Sequence, residues 1–241
     1  MDQLLVALDV ETHEQAGQLA DALRGSVGGF KVGGRLFTAE GPQFVRTLVE
    51  RGDRVFLDLK FHDIPTTVAS AVEAATALGV WMVNVHAAGG TSMMRAAREA
   101  AREAAAKRGT PPPLVIAVTV LTSMSQAALR ETGIVIDLMD QVLRLAELTK
   151  EAGLDGVVAS PRETRAIRER LGADFTIVTP GIRGGAAAAS KDDQERTMSP
   201  AEAVAAGASY LVVGRPIIAA PDPSSAAQEI AVSLAPPLPR T

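Results

Sequence analysis

Short runs dense in Val, Ile, Leu and Phe alternate along the chain with longer Ala-, Glu- and Arg-rich segments whose apolar residues recur at helical spacing. The apolar runs predict strands over residues 3–9, 28–32, 54–60, 81–86, 114–121, 156–160, 176–180 and 210–214. Helices are expected over residues 12–24, 36–51, 66–78, 91–108, 137–152, 161–171, 200–206 and 223–234. Pro161 and Pro200 sit in first-turn positions behind the N-cap candidates Ser160 and Ser199. Gly25, Gly52, Gly79, Gly109, Gly153, Gly172 and Gly207 fall just past helix ends.

The strand runs are continuously apolar rather than alternating, as a parallel sheet buried on both faces requires. Repeated strand–helix units demand right-handed parallel crossovers. Eight of them in 241 residues predict a single-domain (β/α)8 barrel, the TIM-barrel fold, rather than an open doubly wound sheet. No composition shift divides the chain, so residues 1–241 read as one domain. Residues 184–193, with alanines at 186–189, read as a mobile loop, and residues 235–241 as a surface tail.

Composition narrows the function classes. Apolar residues make up 47% and charged residues 22%, the balance of a globular domain rather than a disordered chain. With 24 Lys+Arg against 28 Asp+Glu the formal charge is −4, and the basic residues are scattered, which argues against nucleic acid as a partner. The absence of cysteine removes disulfides, thiolate nucleophiles and Cys-ligated metals. No basic leader precedes the first apolar run and no apolar run is long enough to span a bilayer, so the expectation is a cytoplasmic protein without a membrane partner.

Chemistry in such a barrel sits at the carboxyl ends of the strands. Asp9 ends the first strand and Lys31 lies near the end of the second. Asp58 and Lys60 end the third, Asn84 and His86 the fourth, and Thr122 and Ser123 follow the fifth. A lone buried charge is costly, so charges recurring at one end of many strands point to a site. Asp58 and Lys60, two apart on a strand, share a face, whereas Asp63 lies past the strand end. A lysine held between carboxylates stays charged, which suits proton donation to a carbanion better than Schiff-base chemistry. A carboxylate-only magnesium site from Asp58 and Asp63 is the alternative that the same residues leave open. Pro180-Gly181-Ile182-Arg183 and Gly214-Arg215-Pro216 follow strands seven and eight, where barrels of this kind often bind phosphate. His13, His62 and His86 lack zinc-type spacing, and His62 and His86 read as structural.

Taken in order, Ala7-Leu8-Asp9, Phe30-Lys31-Val32-Gly33, the run from Asp58 to Thr67, Val83-Asn84-Val85-His86, Leu121-Thr122-Ser123, Thr179 to Arg183, Asp193-Gln194-Glu195-Arg196 and Val213-Gly214-Arg215-Pro216 resemble the orotidine 5′-phosphate decarboxylase family over essentially the whole chain. The Asp-x-Lys-x-x-Asp core is shared with related sugar-phosphate enzymes, and the extension through His62-Asp63-Ile64-Pro65 is the more specific part. The resemblance implies decarboxylation of a nucleotide substrate, orotidine 5′-phosphate, to uridine 5′-phosphate without cofactor or metal. Lys60 would protonate C6, with Asp58 beside the departing carboxylate. Asp63 and Thr67 would serve the partner's site in a homodimer. Asp9 and Lys31 would contact ribose hydroxyls, with Lys31 also joining the charged network, and Thr122 and Ser123 would face the pyrimidine. Arg183, Gln194, Gly214 and Arg215 would hold the phosphate, Gln194 from the closing loop, and Pro180 would line the substrate site. The alternatives are a magnesium-dependent barrel enzyme acting on a keto-sugar phosphate, and a non-catalytic phosphometabolite-binding barrel.

Overall fold

A computed structural model describes residues 2–182 and 198–234. Strands β1 (Leu4–Ala7), β2 (Gly29–Gly33), β3 (Val55–Phe61), β4 (Met82–His86), β5 (Leu114–Val118), β6 (Gly156–Val158), β7 (Thr176–Pro180) and β8 (Tyr210–Val213) pair in chain order, and β8 closes on β1. Every pairing is parallel, the closing one through Leu5↔Val212. The expected (β/α)8 barrel is what forms.

Alternate residues of every strand but β2, whose inward positions are Gly29, Lys31 and Gly33, enter two separate apolar layers. Leu5, Ala7, Phe56, Met82, Ile116, Val118, Val158, Val178 and Val212 fill the barrel interior. Their neighbours, such as Leu4, Val6, Val83 and Val115, face the surrounding helices. Both faces are therefore dry, and the runs read as continuously apolar for that reason.

The helices are α1 (His13–Leu23), α2 (Gly34–Glu50), α3 (Pro65–Ala77), α4 (Gly90–Arg108), α5 (Gln126–Glu131), α6 (Leu138–Glu151), α7 (Pro161–Leu171), α8 (Pro200–Ala205), α9 (Arg215–Ile218) and α10 (Pro223–Ser233). Ser199 caps α8 by accepting the Glu202 N–H, and the Glu202 carboxylate returns to the Ser199 N–H at 2.9 Å. The seven glycines expected beyond helix ends all have positive φ, Gly109 at 66° and Gly207 at 106° marking the extremes.

Three departures from the expected elements have physical causes. Strands β1, β5 and β6 stop short of their apolar runs: one further main-chain bond follows each, from Leu8, Thr119 and Ala159, and hydrophobicity does not report where the pairing stops. The single helix expected over residues 36–51 begins earlier, at Gly34, and is kinked at Gly41 (φ 70°, ψ −169°), just before Pro42, which offers no N–H to the ladder. Helices α5 and α9 fall in stretches to which the sequence pattern assigns no element, each being too short to show a period.

The amino-terminal end of the barrel is closed by contacts remote from the strand tips. Trp81 and Tyr210 meet edge to face at 5.1 Å, and the Arg54 guanidinium lies 5.3 Å from the Trp81 ring. Arg168, near the end of α7, donates to the carbonyls of Gly172, Ala173 and Phe175 ahead of β7 and of Gly207 ahead of β8, at 2.6–3.1 Å. One guanidinium thus ties two strand entries together. Arg168→Ala is expected to lower stability by about 2–3 kcal/mol in urea unfolding while leaving ligand binding at the opposite end unchanged.

Candidate active site

At the carboxyl end of the strands a cavity of about 460 Å³ opens, lined by side chains from both halves of the barrel. Its floor is the apolar interior, where the buried Val118, Val158, Val178 and Val212 line it from below. Asp9, Lys31, Asp58 and Lys60 form one wall; Gly214 and Arg215 directly follow β8, which pairs with β1, and a Cβ at Gly214 would lie 3.9 Å from Asp9 Oδ2.

The four charges alternate in sign. Lys31 Nζ lies 3.3 Å from Asp9 Oδ1 and 3.3 Å from Asp58 Oδ2, and Lys60 Nζ lies 2.6 Å from Asp58 Oδ1. The strand register sets the order, with Ala7 opposite Lys31 and Gly33 opposite Asp58, so successive strands present successive charges. A Cβ at Gly33 would sit 2.9 Å from Lys31 Nζ and 3.3 Å from Asp9 Oδ1, so glycine there leaves the lysine its path.

The network is graded in exposure. The Asp58 and Lys31 side chains are only 12% and 10% accessible, whereas Lys60 is 37% and Asp9 54% accessible. Burial alone would raise the Asp58 carboxyl. The charges of Lys31 and Lys60, with hydrogen bonds from Lys60 and Asn84, outweigh it and hold the group below its ordinary value of 3.8. Asn84, fully buried on β4, donates to Asp58 Oδ1 at 2.7 Å and accepts the Lys60 main-chain N–H at 2.8 Å.

Lys60 departs from the plain strand geometry expected of it. Its φ of 53° is the one positive value at a non-glycine among the described residues. Pairing between β3 and β4 passes from Leu57↔Val83 to Phe61↔Val85, four residues on β3 against two on β4. Asp58 and Lys60 do reach the same cavity, but through a bulge. Such a conformation costs on the order of 1–3 kcal/mol and persists only where the surroundings enforce it.

Among the sequence-based candidates, Thr122, Pro180, Gly214 and Arg215 line the cavity with the four charges. Asp63 and Thr67 are exposed and outside its lining, and the Asp63 carboxylate accepts the Ile64 N–H at 2.6 Å. Ser123 is also exposed and outside the lining, turned away as the chain leaves β5 for α5. Arg183, Gln194, the loop 184–193 and the tail 235–241 lie outside the described residues. Asp58 is engaged by two lysines and Asn84, whereas Asp63 lies outside the cavity lining. Among the described residues no group of three or more His, Cys, Asp or Glu side chains is placed to hold a metal ion. The His86 and His62 rings lie 5.3 Å apart, tilted by 34°; burial, then His62 and Lys60, keep the His86 imidazole below its ordinary value and so neutral at pH 7. Asn84, a strand-end residue to which the sequence assigned no part, is the addition that the structure makes.

A closed parallel barrel with fixed opposite charges and an arginine at its carboxyl-terminal mouth places the chain in the class of (β/α)8-barrel enzymes. Within that class the chain belongs to the orotidine 5′-phosphate decarboxylase / HUMPS family, whose model matches residues 2–230. It is 57% identical to the orotidine 5′-phosphate decarboxylase of Moorella thermoacetica over 97% of this chain and 92% of that one. It is 54% identical to the enzyme of the same name from Syntrophotalea carbinolica, over 97% and 95% of the two chains. The solved orotidine 5′-phosphate decarboxylase of Lactobacillus acidophilus superposes with a TM-score of 0.83 at 37% identity, covering 96% of this chain and 98% of that one. No helix among the described residues is long and apolar enough to cross a membrane.

The lowered Asp58 carboxyl has a pH consequence. Its stabilising contribution is full above the ordinary value of 3.8 and is lost as pH falls through the lower folded value. Asp58→Asn is therefore expected to lose less stability than the parent between pH 4 and pH 3, read by urea unfolding across that range.

Proposed function

We propose that the protein converts orotidine 5′-phosphate to uridine 5′-phosphate and CO2 without a cofactor, as a cytoplasmic enzyme of pyrimidine nucleotide synthesis. The observation that carries this reading is the Lys60 ammonium, 2.6 Å from a buried Asp58 that Lys31 also holds, facing a cavity with Arg215 on its rim.

The C6–carboxylate bond breaks and leaves its electron pair at C6, in an orbital that the ring π-system cannot delocalise. Lys60 donates a proton from Nζ to that carbon and CO2 departs; solvent then returns a proton to the amine. The charge is already in place before the carbanion develops, so little reorganisation is needed. Enzymes lower barriers by roughly 8–23 kcal/mol, and a reaction with no electron sink needs the upper part of that range.

Arg215 and the Gly214 main chain hold the phosphate, Arg183 and Gln194 complete that grip, and Pro180 lines the substrate site across the mouth. Asp9 and Lys31 meet the ribose hydroxyls, Thr122 and Ser123 the base. Binding energy gathered at the phosphate is used at C6, since interactions with remote parts of a substrate can lower the barrier at the reacting centre. Asp63 and Thr67 serve the partner's site in a homodimer. Their exposure, together with the 64% exposure of the intervening Ile64, supports that assignment.

The first test is incubation with orotidine 5′-phosphate and excess chelator, following loss of the orotate-ring absorbance. Rapid formation of uridine 5′-phosphate is expected, with kcat lowered at least about 10⁴-fold in Lys60→Ala. A folded protein that is silent there but converts keto-sugar phosphates with magnesium would overturn the reading. Mixing inactive Lys60→Ala with inactive Asp63→Ala is expected to restore activity, because one site of each hybrid dimer carries neither change. No recovery despite proven subunit exchange would return Asp63 to its own chain's site.

A further inference from the structure

We propose that Asn84 is a positioning residue for this reaction: its carboxamide fixes the Lys60 main chain and the Asp58 carboxylate together, and so sets where the Lys60 ammonium stands. The inference rests on the decarboxylase reading of the site.

Three hydrogen bonds close a ring. The Lys60 N–H donates to Asn84 Oδ1 at 2.8 Å, Asn84 Nδ2 donates to Asp58 Oδ1 at 2.7 Å, and Lys60 Nζ donates to the same Asp58 oxygen at 2.6 Å. Both the main chain and the side-chain end of Lys60 are tied to groups that Asn84 touches. The ring lies where the β3–β4 ladder skips, since the pairs on either side are Leu57↔Val83 and Phe61↔Val85. Asn84 thus replaces a missing ladder contact and secures the positive φ of Lys60.

Few side chains could do this. The position needs one acceptor and one donor aimed at different groups. Flipping the amide would set donor against donor at the Lys60 N–H, which fixes its orientation. Leucine, of similar volume, would leave a buried N–H and a carboxylate oxygen short of partners. Asn84 is fully buried, so water is a poor substitute. On its other side β4 pairs with β5, where Ile116 opposes Asn84 and no residue titrates.

The test compares Asn84→Ala, Asn84→Asp and Lys60→Ala with the parent, reading kcat, KM, melting temperature and pH profile. Asn84→Ala is expected to keep KM within threefold while kcat falls at least thirtyfold. Asn84→Asp keeps the acceptor for the Lys60 N–H but sets a second carboxylate against Asp58 at neutral pH. Protonated, it regains the donor. Its kcat relative to parent is therefore expected to rise at least tenfold as pH falls from 8 to 5.5. The other charged groups around it, Asp58, Lys60, Lys31, His86 and His62, are common to both proteins and are removed by the comparison.

A merely structural residue would lower the melting temperature without that reversed pH dependence. If Asn84→Ala does not fold, the near-isosteric Asn84→Asp carries the test. Parent-like kcat in Asn84→Ala, or a pH-independent loss in Asn84→Asp, overturns the inference. Activity retained in Lys60→Ala removes the reading of Lys60 as proton donor and the inference with it. An inactive Lys60→Ala beside a fully active Asn84→Ala removes the positioning role alone.

Discussion

A carboxylate buried at the mouth of a barrel is stable only with opposite charge on more than one side, and Asp58 meets that condition through Lys31 and Lys60. Much of the upper barrel follows from it. Gly33 clears space for Lys31, Asn84 donates to the Asp58 oxygen that Lys60 also engages, and Lys60 takes a left-handed main chain at the bulge. Removing any one of these leaves another group buried and short of a partner, so the network is specified as a unit.

The same constraint explains how charge is offered to a ligand. Lys31 and Asp58 are anchored deep in the wall, while Lys60 and Asp9 at the two ends reach accessible surface. A ligand entering the cavity meets charges that are already oriented and cannot relax away. That suits a reaction whose difficulty is localised negative charge on carbon. The clamps made by Arg168 and by the Trp81–Tyr210 pair lie at the opposite end of the strands, so the rigidity they add does not compete with the chemistry for the same residues.

Family membership and geometry bear on different questions. High identity over nearly the whole length says which enzymes this chain resembles. The distances say how its own residues are held, and they separate Asp58 from Asp63, two carboxylates that stand only five positions apart in sequence. One is buried between lysines. The other faces solvent beside an exposed isoleucine, where among the described residues its partner is the adjacent Ile64 N–H.

The barrel was legible in the sequence because it depends on a repeated signal. Eight doubly buried strands produce eight apolar runs, and caps such as Ser199 with Glu202 mark the helices between them. Polar residues at strand ends pointed to Asp9, Lys31, Asp58, Lys60 and Arg215 by the same logic, since such charges are too costly to place there without a use. Tertiary structure alone decided the rest. The kink at Gly41, the β3 bulge and the role of Asn84 depend on which main-chain groups find partners across the sheet. A one-dimensional pattern records hydrophobicity and spacing, whereas a hydrogen bond between residues 24 positions apart exists only once the strands are side by side.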